Sequence, residues 1–390
     1  MVERFLVHEV STKGATATHA IVIGVGDYPN LRRGSSKQKT DDHEGMGQLT
    51  SPPISAREFA SWLIESFEHP EKPLASVSLL LSERKPKPFV NPRTNKPSQV
   101  ALANTSNVLS ALLDWRDRGN RSPKNLLLFF FCGHGLAAGS SMSLPLADYG
   151  AGDLPALEGA LDFNRFVLGM HRCRASEQCF FVDACRTESE MLKNAEGAAG
   201  RFPIQPGPRN PAWPILRAPV FYSTTQGYKA YALSNKPSIY TRALLDSLQN
   251  LGAERSEDAD DWRVSTDRLS QAVGHLIDRY SREFERLAPP TVNGAVNVLL
   301  NRLKEPPWAL VYVKTDPPTA LRKMSIECLL GGSPVQPTRV DDLNKAELVL
   351  QLPTGYYEFT ATFPGRRRTS PRKDYVAPIN CSLNFREPPR

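Results

Sequence analysis

Two apolar runs decide the fold: Leu126-Leu127-Leu128-Phe129-Phe130-Phe131-Cys132-Gly133-His134-Gly135 and Cys179-Phe180-Phe181-Val182-Asp183-Ala184-Cys185-Arg186. Both are short, rich in aromatic and branched residues, and free of polar alternation, the pattern of strands buried on both faces of a parallel sheet. Each run closes on polar residues, which places these at the carboxyl edge of the sheet, where open α/β folds bind their ligands. A His and a Cys delivered side by side to that edge are the parts of a cysteine nucleophile and its base.

Outward from the two runs the same sheet continues. Ala20-Ile21-Val22-Ile23-Gly24-Val25-Gly26 predicts an earlier strand; its G-V-G lacks the third Gly and the immediate helix of a dinucleotide site. The polar stretch from Arg32 to Ser51 reads as a surface loop. Ser55 and Glu58 form a capping-box pattern that predicts the start of a helix with Ala56, Phe59, Leu63 and Phe67 on one face. A strand over Val77 to Leu81 and a Pro- and Lys-rich loop follow. A helix from about Ser106 then presents Val108, Ala111, Leu112 and Trp115. Asp162 is placed to cap a helix carrying Phe163, Phe166, Val167 and Met170. After Cys185, a strand over Val220 to Thr224 precedes two helices, Ile239 to Leu251 and one whose face runs Leu269, Ala272, Val273, Leu276, Ile277, Tyr280, Phe284 and Leu287. Strands and helices in alternation predict an α/β fold: a doubly wound, mainly parallel sheet with helices on both faces.

The segment Thr187 to Pro219 carries Pro203, Pro206, Pro208, Pro211 and Pro214, a density that predicts a long mobile connection. Pro289-Pro290 and Pro306-Pro307 mark a boundary. Beyond them the apolar period changes to two, at Met324, Ile326, Cys328 and Leu330, at Leu348, Leu350 and Leu352, and at Tyr357, Phe359, Ala361 and Phe363. That period predicts a C-terminal β-sandwich over 308–390, after a first domain over 1–303. Arg366-Arg367-Arg368 and Arg372-Lys373 read as a solvated hairpin tip.

The 390 residues are 40% hydrophobic and 23% charged, ordinary for a folded protein, and the net charge of +7 is scattered rather than gathered into a stripe. Neither nucleic-acid binding nor a membrane span is expected; no stretch approaches the roughly 18 apolar residues a span needs. The amino terminus lacks a signal-peptide core, so a cytoplasmic location is expected. None of the six Cys forms a CxxC pair, so no metal and no cofactor are expected.

In the chemistry these residues suit, Cys185 supplies a thiolate and His134 the proton for the leaving amine. Gly133 and Gly135 allow backbone to approach a substrate. Cys132 is the competing thiol, but its place inside the strand predicts that it is inert. Asp183, two residues before Cys185, is an acid that would attract Arg or Lys, or else an acceptor for amides at the sheet edge.

The spacing of His134 and Cys185, 185 minus 134, matches the caspase pattern of a Cys in Q-A-C-[RQG]-G with the His roughly 50 residues upstream. Over about residues 15 to 300 the chain resembles the caspase-like superfamily of cysteine peptidases, its bacterial members and metacaspases above all. It departs where Asp183 replaces the Gln and Thr187 the final Gly. The resemblance implies an oxyanion hole from the amides of Gly135 and Cys185, with no third orienting acid. It further implies a substrate-binding segment beginning Tyr222, Ser223 and Thr224, in which Ala232 stands where caspases carry a specificity arginine; only Arg32 or Arg33 could stand in for another. With the acid-binding elements reduced, cleavage after Arg or Lys is expected, with Asp183 at the pocket floor and Asp27 as a second acid. Self-processing is expected at Lys193, Arg201, Arg209 or Arg217. The implied role is limited cleavage of a protein or peptide substrate in bacterial signalling, defence or cell death, with the sandwich recruiting a partner. An inactive scaffold, an Asp-specific protease and another cysteine hydrolase or acyltransferase remain open.

Overall fold

In the computed structural model the strand Leu126–Gly133 carries the first run and Glu177–Ala184 the second, and they lie side by side in parallel, every residue of both buried. We call them the His strand and the Cys strand. Residues 5–12, 14–152, 155–194, 199–225, 227, 235–256, 261–281, 287–294, 296–340, 347–366 and 368–389 are described. Ala232 and Phe284 fall outside them.

The sheet runs, in spatial order, through Leu6–Glu9, Leu74–Ser82, Thr18–Val25, the His strand, the Cys strand, Val220–Tyr222 and Thr291–Asn293. Its five inner strands are parallel, and the two outermost pair antiparallel. Because side chains alternate across a strand, each run of phenylalanines feeds two cores. On one face Phe59, from helix α1 (Ser51–Glu65), stacks 4.5 Å from Phe130 and lies 5.9 Å from Phe181. On the other, Trp115 of α2 (Thr105–Gly119) and Phe166 of α3 (Phe163–Met170) pack on Phe129 and Phe180. The sheet is therefore doubly wound, with aromatic rings supplying much of the apolar area buried on both sides.

Local structure departs from the sequence reading at three places. Helix α1 begins at Ser51, four residues before the expected capping box. Pro52 and Pro53 occupy its first turn, where proline's fixed φ and missing N–H are tolerated, so Ser55 lies inside the helix and its Oγ accepts from the Ser238 amide at 3.0 Å. Past His134, the short strands Leu136–Ala138, Ser141–Pro145 and Ala160–Asp162 form a small second sheet, joined by Thr187–Glu188. The segment after Cys185 thus starts with a strand and with helix α4 (Glu190–Asn194), its prolines all falling later. Farther along, backbone bonds from Arg201 to Ala160 and from Arg217 to Ser176 tie it down.

The compact units do not follow a single cut: residues 1–245 group with 287–298, and 246–286 with 299–390. The second unit holds two four-stranded sheets, built around Trp308–Asp316 and Leu348–Pro353 and around Ser325–Leu330 and Gly355–Thr362. One core joins them through Val311, Leu350, Cys328, Phe359 and Cys381, as a sandwich requires. Among the described residues no helix is long and apolar enough to cross a membrane.

Candidate active site

Gly133 of the His strand pairs with Ala184 of the Cys strand, so His134 and Cys185 leave neighbouring strands at the same level. Adjacent strands lie about 4.8 Å apart. The two chains stay together past the sheet edge, where Leu136 pairs with Thr187. Between them, a Cβ added to Gly135 would stand 2.3 Å from the Cys185 carbonyl oxygen and 3.0 Å from the Ala184 Cβ. Only glycine lets the backbones approach this closely, which is the physical content of the G-H-G motif.

His134 is held from two directions. Its amide donates to the Tyr28 hydroxyl at 2.9 Å, and the Tyr28 ring lies 4.9 Å from the imidazole. Its Nε2 lies 2.7 Å from the carbonyl oxygen of Gly47. A carbonyl only accepts, so Nε2 carries the proton and Nδ1 is the bare nitrogen of the neutral ring. Burial holds the imidazole down to about 4, against a smaller upward effect of the Gly47 bond. At neutral pH the ring is therefore uncharged and able to accept a proton.

The two thiols near this edge differ. Cys185 is half-buried, whereas Cys132 is buried within the His strand. Burial, then the neighbouring Asp183, push the Cys132 thiol well up, and its Sγ lies 3.4 Å from Asp183 Oδ2. Cys132 is thus held as a buried, protonated thiol, the environment in which a thiolate is disfavoured.

The two candidate acids also differ. Asp183 is only 2% exposed, on the face covered by α1 and α5 (Ile239–Asp246). Its Oδ2 accepts from Thr241 Oγ1 at 2.6 Å and from Ser238 Oγ. Burial raises this carboxyl, and those hydroxyls oppose the rise. Asp27 follows the strand Thr18–Val25 and lines a cavity of about 470 Å³ together with Thr50, Arg57, Ser82 and Asn235. Its carboxylate makes no ion pair or side-chain hydrogen bond among the described residues. The same cavity has a cationic side, Arg84, Lys85 and Lys87, while Arg57 is taken up by Glu83 through bonds of 2.9 and 2.8 Å.

Tyr222, Ser223 and Thr224 lie buried beside the Cys strand, with the Ser223 amide donating to Val182 and its hydroxyl to the Ala184 carbonyl. The Arg186 guanidinium covers the Tyr222 ring at 4.3 Å, and the Gly227 amide donates to the Arg186 carbonyl. The four basic residues of the connection all have partners. Lys193 bridges Glu188 and Glu190, Arg201 pairs with Glu158, Arg217 with buried Glu177, and Arg209 donates to the Cys173 carbonyl at 2.6 Å. Tyr28 and Gly47 were not legible as site residues. A carbonyl oxygen has no sequence signature, and Tyr28 reads only as part of a polar turn.

The caspase-domain profile matches residues 17–274. Over 226 residues the chain is 26% identical to an uncharacterized protein of Sinorhizobium fredii (strain NBRC 101917 / NGR234), which covers 55% of this chain and 60% of that protein. Over 209 residues it is 27% identical to a probable protease of a Desulfuromonadales bacterium, covering 49% of this chain and 24% of that protein. The chain thus spans less than two thirds of either relative's length. Among solved structures, a protein from Geobacter sulfurreducens aligns with a TM-score of 0.39 at 11% identity, covering 73% of this chain and 93% of its own. Caspase-1 from Spodoptera frugiperda aligns with a TM-score of 0.40 at 11% identity, covering 74% and 90%.

Proposed function

The chain belongs to the caspase-domain family, and from that premise we propose that it is a cysteine endopeptidase working through a His134–Cys185 dyad. The observation that carries this reading is the bond from His134 Nε2 to the Gly47 carbonyl, which leaves Nδ1 as the proton acceptor on a ring beside the Cys185 turn. In the first step Nδ1 takes the thiol proton as sulfur bonds to the scissile carbonyl carbon, whose oxygen becomes an oxyanion. The amides of Gly135 and Cys185 are its donors in this reading. Collapse breaks the C–N bond, the imidazolium gives its proton to the departing amine, and water then hydrolyses the thioester.

Cleavage after Arg or Lys is the preferred specificity. Asp27 supports it, being an acid with open oxygens in the carboxyl-edge cavity, while the oxygen of Asp183 that accepts from Ser238 and Thr241 is already engaged. The cationic side of that cavity favours the runner-up, an enzyme that prefers acidic residues. In this reading limited cleavage, including processing of the chain's own connection at Lys193, Arg201, Arg209 or Arg217, serves bacterial signalling or defence in the cytoplasm, and the sandwich recruits the protein partner.

Fluorogenic peptides ending in Arg, Lys or Asp test both levels. Turnover of the Arg and Lys peptides by wild type, and none by Cys185→Ala, is expected. Faster turnover of the Asp peptide overturns the specificity; equal turnover by Cys185→Ala overturns the mechanism.

A further inference from the structure

At the amino edge of the main sheet, opposite the dyad, lies a cavity of about 490 Å³ lined by Glu9, Thr12, His19, Arg118, Arg121 and Asn125 among others. That volume is within the range of small-molecule sites. His19 is the second residue of the strand Thr18–Val25, and its neighbour Leu127 is the second of the His strand. Seven residue steps of strand, roughly 23 Å at 3.3 Å each, separate the level of His19 from His134.

Its donors are numerous and its acids are few. Arg118 pairs with Glu9. Arg121 is exposed and pairs with no carboxylate among the described residues. His19 is only 3% exposed; its Nδ1 lies 2.8 Å from the Ser76 hydroxyl, and its Nε2 has no hydrogen-bond partner among the described residues. Burial, then Arg118 and Arg121, hold this imidazole down to about 4, with Glu9 opposing. The ring is therefore neutral at pH 7, and in the tautomer in which the Ser76 hydroxyl donates to Nδ1 the proton sits on Nε2. Asn125 makes the wall rigid, accepting from the Ala17 amide at 2.9 Å and donating to the Arg118 carbonyl at 3.1 Å. Guanidinium forks and an N–H donor converging on one concavity match the oxygens of a phosphoryl group.

We propose that this cavity binds a small phosphorylated ligand, a phosphate ester or diphosphate, whose phosphoryl oxygens accept from Arg121, Arg118 and His19 Nε2. The volume exceeds what one phosphate fills, so the ester or second phosphoryl group occupies the remainder beside Thr12. The proposal stands apart from the peptidase reading, because none of the residues named lies at the carboxyl edge.

Calorimetric titration of the full chain with sodium pyrophosphate tests it, with sodium citrate and sodium chloride at matched ionic strength as separate arms. Saturable pyrophosphate binding is expected, at least tenfold weaker in Arg121→Gln and in His19→Gln and unchanged in Arg84→Gln, which alters the opposite edge. Arg121 is exposed, so its variant keeps the test open should His19→Gln fold poorly. Absence of saturable binding, citrate binding as tight as pyrophosphate, or wild-type affinity in Arg121→Gln overturns the proposal.

Discussion

The imidazole Nε2 of His134 and the carbonyl oxygen of Gly47 lie 2.7 Å apart, so a main-chain atom orients the ring. No carboxylate is needed for that task. The bond fixes which nitrogen is protonated, and the sheet register sets the backbones that lead into His134 and Cys185 at the same level.

The pH profile follows from the same environment. Burial holds His134 down to about 4, so the free base is fully present above that value and is lost as pH falls through it. The acid limb of kcat/KM for an Arg peptide is expected near pH 4 rather than near the ordinary histidine value of about 6.5. A half-fall near 6.5, measured between pH 3.5 and 8, contradicts this.

Tyr28 positions His134 through its hydroxyl, which accepts from the His134 amide at 2.9 Å. Tyr28→Phe leaves that N–H without its partner, a loss of about 1–3 kcal/mol. Steady-state kinetics should show kcat reduced about tenfold or more with KM nearly unchanged. An effect confined to KM contradicts a positioning role.

Gly135 has no room for a methyl group, because its added Cβ meets the Cys185 carbonyl oxygen at 2.3 Å. Neither backbone can yield without moving His134 and Cys185. Gly135→Ala is expected to lower kcat/KM by about 100-fold or more, since misplacement of about 1 Å costs on that order. Gly274, in helix α6 (Thr266–Ser281), has nothing within 4 Å of its added Cβ and serves as the control. Gly274→Ala should add about 0.5–1 kcal/mol of stability by helix propensity and leave activity unchanged. Equal activity of the two variants contradicts the packing argument.

Asp183 and Asp27 should separate stability from recognition. Asp183→Asn places an amide among donors from Ser238, Thr241 and Cys132 and is expected to destabilise by about 1–3 kcal/mol in denaturant unfolding. Asp27→Asn removes a carboxylate without a partner among the described residues. Its stability should change by less than about 0.5 kcal/mol, while KM for an Arg peptide rises. The reverse assignment would show that Asp183 reads the substrate.

The main sheet was legible because buried parallel strands are written as unbroken apolar runs, and both runs identify their strands to within a few residues. The Asp162 cap was legible too; its side chain accepts from the Arg165 amide at 2.9 Å. The start of α1 was not, because Ser55 and Glu58 fit a local rule that Pro52 and Pro53 override. The strands Leu136–Ala138 and Ser141–Pro145 escaped notice because Ala, Gly and Ser there carry weak strand preference. The partners of Asp183, Cys132, Ser238 and Thr241, stand 51, 55 and 58 residues away along the chain, a distance at which local pattern says nothing.

The most direct test of the account is mass-spectrometric mapping of the adduct formed when the wild-type chain meets an arginyl acyloxymethyl ketone. The account predicts one adduct, on Cys185, and none in His134→Ala. An adduct on Cys132, or one on Cys185 that forms equally well without His134, would contradict it.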